Sequence, residues 1–381
     1  MVSKKGAIAV RGSGIVSHVC AIMIARLGYK VIHIKRGDPL NNDSFFAITP
    51  SIIDWLRRLG FPQDFFQNIH ALKKINLINA QANIEHLFNA DEMFLDSLAF
   101  MVKQTDFIDA LSSKDSANIF NMDLDQTSYK ENSNYVECSF GSESIKASLL
   151  IVCDADDKEI INDGFGETVK QYNQTAITFS FYAKEGNFDC ASQFFFEDSI
   201  LALLPLSHSQ VGVVWSCNNV LRDLLVHLNP ENFKSFFEKR IKKRFTVDSE
   251  LNAKNQFNLK LKTLDSVFDK RVLAIGDAAH IIHPMAGQGL NLGLRDIRAI
   301  EALLESSKIE DAGNENFLRR YEKMRKKDVA QLALLTDVLS NTVHGEHYVN
   351  KLNKGSIIPA AINGLLKNKF LKQAIIKQAT Q

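Results

Sequence analysis

GDAAHIIHPMAGQGLNLG, residues 276–293, holds four glycines, two histidines, one proline and one acid in eighteen positions. It follows the apolar run RVLAI (271–275) and leads into a helix-like stretch that carries Asp296. Glycine loses more conformational freedom on folding than any other residue. Its concentration between a buried strand and a helix therefore points to a backbone that turns tightly or comes close to a ligand.

The chain opens on a related pattern. GAIAVRGSGIVSHVCAIMIARLGYKVIHIKR (6–36) reads as an apolar strand at 7–10, a glycine turn, an amphipathic helix to Leu27 with Gly28 at its end, and a second apolar strand at 31–34. Strand, turn, helix and strand in about 30 residues begin a parallel sheet. Gly12 and Gly14 fall where such a fold turns its backbone toward a phosphate, at the positive end of the first helix. The full fingerprint has a third glycine, and Ser17 stands in its place. A plain strand-to-helix turn also fits these residues.

Further on, TPSIIDWLRRLG (49–60) predicts a helix with Thr49 as N-cap, Pro50 at the first helical position and Gly60 as the stop. SLLIVCD (148–154) is a continuous apolar run ending in Asp154, as in a strand buried on both faces. TAITFSFYA (175–183), ILALLPL (200–206) and QVGVVWS (210–216) predict antiparallel strands of a different domain. A Phe- and Lys-rich helix is expected over 231–245, and helices from 289 almost to the end. The fold class is α/β: a Rossmann-like domain interleaved with an antiparallel β-sheet domain, plus C-terminal helices.

Composition sets limits on the partners. Lys plus Arg number 45 against 44 Asp plus Glu, so no basic excess marks a general nucleic-acid binder. Cys20, Cys138, Cys153, Cys190 and Cys217 are odd in number and never form a CxxC pair, which fits a reducing cytoplasm. HxxH at His280 and His283 lacks a third ligand, so no metal is expected. No uncharged run approaches the roughly 18 residues of a membrane span, and no signal-peptide pattern opens the chain. The last 31 residues carry six lysines and no acid among regularly placed apolar residues. Such a tail suits an anionic membrane surface, and equally a lysine face on a packed helix.

GDAAHIIHPMAGQGLNLGLRD resembles the second FAD motif of the aromatic flavoprotein monooxygenases, the p-hydroxybenzoate hydroxylase fold, and within them the ubiquinone-biosynthesis hydroxylases. QYNQTAITFSF, ASQFFFEDSILALLPL, VVWS, RRYEKMRKKD and LLTDVLSN extend the resemblance over nearly the whole chain. It implies an FAD-binding domain at 1–75, 101–165 and 263–300, a substrate domain at 76–100 and 166–262, and a C-terminal helical region at 301–381. It also implies that Asp277 holds the ribitol or a nearby polar part of FAD, and that Pro284 lies against the flavin ring. Gly287, Gln288, Gly289, Leu290 and Asn291 would present backbone and amide groups to its edge. His283 would contact substrate or flavin, or cap a helix, and His280 would be structural. In that family a flavin hydroperoxide delivers oxygen, with NAD(P)H and O2 as co-substrates. The implied reaction is hydroxylation of a polyprenylated phenol, in a pocket expected to include one or two of Phe179, Phe181, Leu203, Leu204, Pro205 and Trp215. The expected location is cytoplasmic, peripheral on the inner face of the membrane through the basic tail, in company with other biosynthetic enzymes.

The chain departs from the family at the nucleotide end. Lys35 and Arg36 stand where a Glu accepts hydrogen bonds from the adenosine ribose, and a donor-only cation cannot make that bond. Ser44 replaces an arginine. The Asp-Gly motif becomes DADDKEI (154–160), which keeps Asp154 but places Ala155, Lys158 and Ile161 at the positions that follow it in the family. Three functions are consistent with these residues: an FAD-dependent monooxygenase with altered nucleotide anchoring, a non-catalytic scaffold that binds lipid or partner, and a reductase whose Lys35 and Arg36 recognise the 2′-phosphate of NADPH.

Overall fold

The apolar runs form the middle of a parallel sheet. A computed structural model describes residues 6–37, 43–113, 118–155, 157, 160–161, 164–251, 255–282, 288–306 and 311–344. Its first sheet has a parallel core in the order Val272–Ala274, Glu143–Val152, Ala7–Arg11, Val31–Lys35 and Ile119–Asp123, with Phe268–Asp269, Val136–Phe140 and Thr127–Glu131 added antiparallel beside it. Alternate residues feed two cores. Ile8, Val10, Leu149 and Ile151 face one, while Ala9, Ile32, Leu150 and Val152 face the other. Burial on both faces is why these strands read as unbroken apolar runs.

The described helices are α1 (Ile15–Arg26), α2 (Pro50–Arg58), α3 (Gln63–Asn68), α4 (Gln104–Ser112), α5 (Asn219–His227), α6 (Pro230–Arg240), α7 (Gly289–Ser306) and α8 (Glu315–His344). The chain leaves Ala7–Arg11 through α1 to reach one neighbouring strand, and returns to the other side much later in the sequence. A crevice opens at such a switch point, and residues 12–14 line it. Part of the glycine content of 276–293 is packing: a Cβ on Gly293 would sit 2.8 Å from Val16 Cγ2, so glycine lets α7 lie close on α1.

The second sheet is mostly antiparallel, in the order His280–Ile281, Asn255–Leu264, Glu167–Gly186, Gln210–Asn218, Ser199–Pro205, Cys190–Phe195, Lys74–Asn79 and Ile84–Asn89. One face is covered by α5 and α6, and here the structure divides the candidate pocket residues between two faces. Phe179, Phe181, Leu203 and Trp215 pack with Phe233 and Phe237 of α6 in a buried core. Leu204 points the other way, toward Leu72, Met101 and Leu206. Period-2 alternation made both faces look alike in sequence, and the helices decided which face became core.

Three local expectations also change. The helix predicted over 231–245 ends at Arg240, because Lys242 and Lys243 turn left-handed (φ 50° and 54°) into the strand Phe245–Val247. Its predecessor α5, capped by Asn218 Oδ1 on Leu221 N, was not foreseen. Thr49 occupies the N-cap of α2, but its side chain makes no capping bond.

A three-stranded sheet, Phe45–Ile48, Ala99–Lys103 and His70–Leu72, lies against the open face of the second. The Phe45 ring covers Gly212, where a Cβ would come within 2.6 Å of it. Among the described residues no helix is long and apolar enough to cross a membrane.

Candidate functional site

The turn after the first strand is built from main-chain groups. Gly12 has φ +146°, a conformation open to glycine, and a Cβ there would meet Asp154 Oδ1 at 2.9 Å. Ser13 N donates to Asp154 Oδ2 at 2.6 Å. Burial raises the Asp154 pKa against that bond, and Asp157 and Asp277 add to the rise. Ser17 Oγ, in place of the third glycine, donates to Gly14 O at 2.8 Å.

Two histidines brace the same turn. His33 Nε2 bonds Gly12 O at 3.1 Å and His18 Nδ1 bonds Gly14 O at 2.9 Å, their rings edge to face. A carbonyl only accepts, so both rings donate. Burial, then His18, lowers the His33 pKa to about 3, and the ring is neutral.

The nucleotide end is rewired through residues that sequence reasoning missed. Arg11 donates to Asp157 Oδ1 at 2.8 Å, both side chains buried. Arg36 forks onto Asp125, with Nη2 at 2.6 Å from Oδ1, and its backbone N donates to Ser13 Oγ at 2.8 Å. The Arg36 side chain is thus committed to a carboxylate. Ser44 O accepts Gln104 N, and Ala155 follows Asp154 without a side chain able to hydrogen-bond. The one sequence signal was Arg11, a charge ending an otherwise apolar strand.

At the other end of the crevice, Gly276 (φ +56°) makes the turn that exposes Asp277. The Asp277 carboxyl reaches solvent, yet the protein around it raises its pKa by desolvation, against His280, Lys260 and Lys262. Beneath it, Asp296 is almost fully buried and accepts Gly276 N (2.9 Å), His280 Nε2 (2.7 Å) and Arg325 Nε (2.6 Å). Burial alone would raise the Asp296 pKa, but His280 and Arg325 outweigh it and hold the carboxylate ionised. Arg325 and Arg295 both reach Asp328, so α8 is tied through charge to the Gly276 turn.

The start of α7 completes the crevice. Leu292 N donates to Gln288 O, so the N–H groups of Gly289 and Leu290 lie in the first turn, where the helix itself supplies no acceptor. Gln288 is 5% exposed, and its Oε1 has no hydrogen-bond partner among the described residues. A Cβ on Gly289 would meet nothing within 4 Å. Asn291 differs from the expectation for its side chain: Oδ1 accepts Thr49 N at 3.0 Å and Nδ2 donates to Ala47 O at 2.7 Å, tying α7 to α2. His283, Pro284 and Gly287 lie outside the described residues.

These groups fit one half of FAD directly. An isoalloxazine edge carries an N–H donor and carbonyl acceptors, which match an unpartnered buried acyl oxygen and the open N–H groups of a helix start. The sequence profile of the FAD binding domain family matches residues 12–336. The chain belongs to that family.

This FAD binding domain protein is 28% identical over 240 residues to ubiquinone hydroxylase UbiL of Rhodospirillum rubrum, covering 61% of this chain and 55% of the relative. The match therefore spans about half of that protein's length. With 3-demethoxyubiquinol 3-hydroxylase of Escherichia coli it shares 26% identity over 394 residues, 98% of this chain and 100% of the relative. A probable FAD-dependent monooxygenase from Pseudomonas aeruginosa superposes with TM-score 0.75 at 14% identity, over 90% of this chain and 97% of the other. Klebsiella pneumoniae HpxO, solved with FAD and uric acid, gives 0.74 at 15% identity over 98% and 96%. The fold is that of the p-hydroxybenzoate hydroxylase type, and the homologues are FAD-dependent monooxygenases, ubiquinone hydroxylases among them.

Proposed function

We propose that the protein is an FAD-dependent monooxygenase that hydroxylates the ring of a polyprenylated phenol in ubiquinone biosynthesis. When bound, FAD supplies the redox chemistry: reduced by NAD(P)H, it activates O2 for transfer of one oxygen atom. The observation that supports the reading is the start of α7, where the buried Gln288 Oε1 has no hydrogen-bond partner among the described residues and a Cβ on Gly289 would meet nothing within 4 Å. A helix N-terminus there stabilises negative charge on a reduced ring. Asp277 orients the ribitol, Gly12 and Gly14 approach the pyrophosphate, and Asp154 fixes their turn. Pro284 and His283, outside the described residues, would have their roles beside the ring by family resemblance alone. Residues 1–75, 101–165 and 263–300 would form the FAD-binding unit, 76–100 and 166–262 the substrate unit, and 301–381 a C-terminal helical region.

The phenol would lie on the sheet face away from α5 and α6. There Thr178, Val214 and Ala202 stand side by side across three strands, small and half-buried. Small side chains leave room for a ring above the sheet, and water exclusion by Phe45 and the three-stranded sheet protects the reduced cofactor. We assign the protein to the cytoplasmic membrane surface, reached through the basic C-terminal segment, which lies outside the described residues.

The deciding experiment is turnover. Protein reconstituted with FAD should oxidise NAD(P)H faster when a prenylated phenol is added, and the product should gain one oxygen. Flavin-loaded protein that no phenol stimulates favours the scaffold reading, for which the altered nucleotide end is the supporting observation.

A further inference from the structure

Arg11 ends the strand Ala7–Arg11, and alternation puts its side chain on the face of Ala9, away from α1. There Nε donates to Oδ1 of Asp157, which lies beyond the end of Glu143–Val152, and the two side chains are 8% and 9% exposed. The second oxygen, Asp157 Oδ2, is buried and has no hydrogen-bond partner among the described residues. A buried carboxylate oxygen without a donor is costly, so this one calls for a donor from outside the chain.

The pair stands where a dinucleotide lies. In sheets of this kind the ligand crosses the C-terminal ends of the parallel strands, and an acid about 20 residues beyond the glycine turn holds the ribose. Here Lys35 and Arg36 take that place, and neither side chain can accept a hydrogen bond. The Asp157 charge is felt both at Asp154, which fixes the Gly12–Gly14 turn, and at Arg36, which follows the next strand. Neighbouring acids are already engaged. Asp154 Oδ2 takes Ser13 N, and both oxygens of Asp125 take Arg36 Nε.

We infer that Asp157 is the acceptor for the adenosine ribose hydroxyls of FAD, in place of the acid missing at Lys35, and that Arg11 is its positioning residue. The inference rests on the FAD reading above. Arg11 holds Oδ1 and leaves Oδ2 for a hydroxyl. Its charge also offsets a carboxylate that would otherwise repel the pyrophosphate beside it. The ribose acceptor thus comes from the segment after Glu143–Val152 instead of from the second strand.

The test compares Kd for FAD and for FMN, which lacks the adenosine half, on full-length apoprotein by quenching of flavin fluorescence. Asp157→Asn should weaken FAD about 10- to 100-fold, the worth of one charge-assisted hydrogen bond, and leave FMN unchanged. Arg11→Val with Asp157→Ala exchanges the buried pair for apolar side chains, a change such sites tolerate, and should show the same loss for FAD alone. A purely structural role would weaken both flavins together; that result overturns the inference, as does an unchanged FAD affinity. The second probe is FAD prepared without the 2′ and 3′ hydroxyls of its adenosine. Wild type should bind it about 10- to 100-fold more weakly than FAD, and Asp157→Asn should bind the two alike. Wild type that binds the two alike overturns the inference and leaves FAD binding intact. Wild type that binds neither FAD nor FMN overturns the FAD reading itself, and the inference with it.

Discussion

Arg325 of α8 donates through Nε to Asp296 Oδ1 of α7 at 2.6 Å, with side chains 8% and 1% exposed. The same carboxylate holds Gly276 N and His280, so one buried charge fixes the turn that exposes Asp277. A C-terminal helix thereby sets the geometry of a cofactor loop some 50 residues earlier in the chain.

Removing one partner leaves the other charge buried without compensation. Arg325→Leu should destabilise the fold by about 3–5 kcal/mol, and Arg325→Leu with Asp296→Asn by less than the sum of the single changes. Urea unfolding of the three variants checks this.

Close packing of α1 on α7 is a separate constraint. Gly293→Ala places a methyl against Val16 and should cost about 1–3 kcal/mol. Val16→Ala on the same background should recover most of it, read as a rise in melting temperature over the single variant.

His33 makes stability depend on pH. Its folded pKa is about 3 against 6.5 for the free side chain. Below 6.5 the unfolded chain therefore binds the extra proton, so this contribution is complete above 6.5 and declines as pH falls toward 3. One proton is worth about 1.4 kcal/mol per pH unit, or about 2 kcal/mol between pH 6.5 and 5. His33→Gln, which keeps a donor and does not titrate, should lack that increment in unfolding measurements at the two values.

Asn291 is held by Ala47 O and Thr49 N. Asn291→Leu leaves both buried groups unpaired and should cost about 2–4 kcal/mol. Limited proteolysis should then cut near α2 faster than in wild type.

The parallel sheet was legible because its strands are buried on both faces and bounded by glycine, which leaves a pattern in local sequence. The turn at Gly12 and Gly14 was legible for the same reason. What escaped was set by contacts far apart in the chain. Phe179 and Trp215 alternate like pocket residues, and only α6 makes their face a core. Arg36 reads as a free cation until Asp125, 89 positions on, is brought to it. Asn291 sits inside a flavin motif, yet its amide serves α2. Asp154 announced itself as the acid at a strand end, but its bond to Ser13 N required Ala7–Arg11 and Glu143–Val152, far apart in the chain, to lie side by side.

The most direct measurement is the visible spectrum of the purified protein, with and without added FAD. The account predicts yellow protein with flavin absorbance, FAD released on denaturation, and loss of binding in Gly289→Val, whose side chain fills the open space at the start of α7. Colourless protein that FAD cannot reconstitute, in a sample shown to be folded, would contradict it.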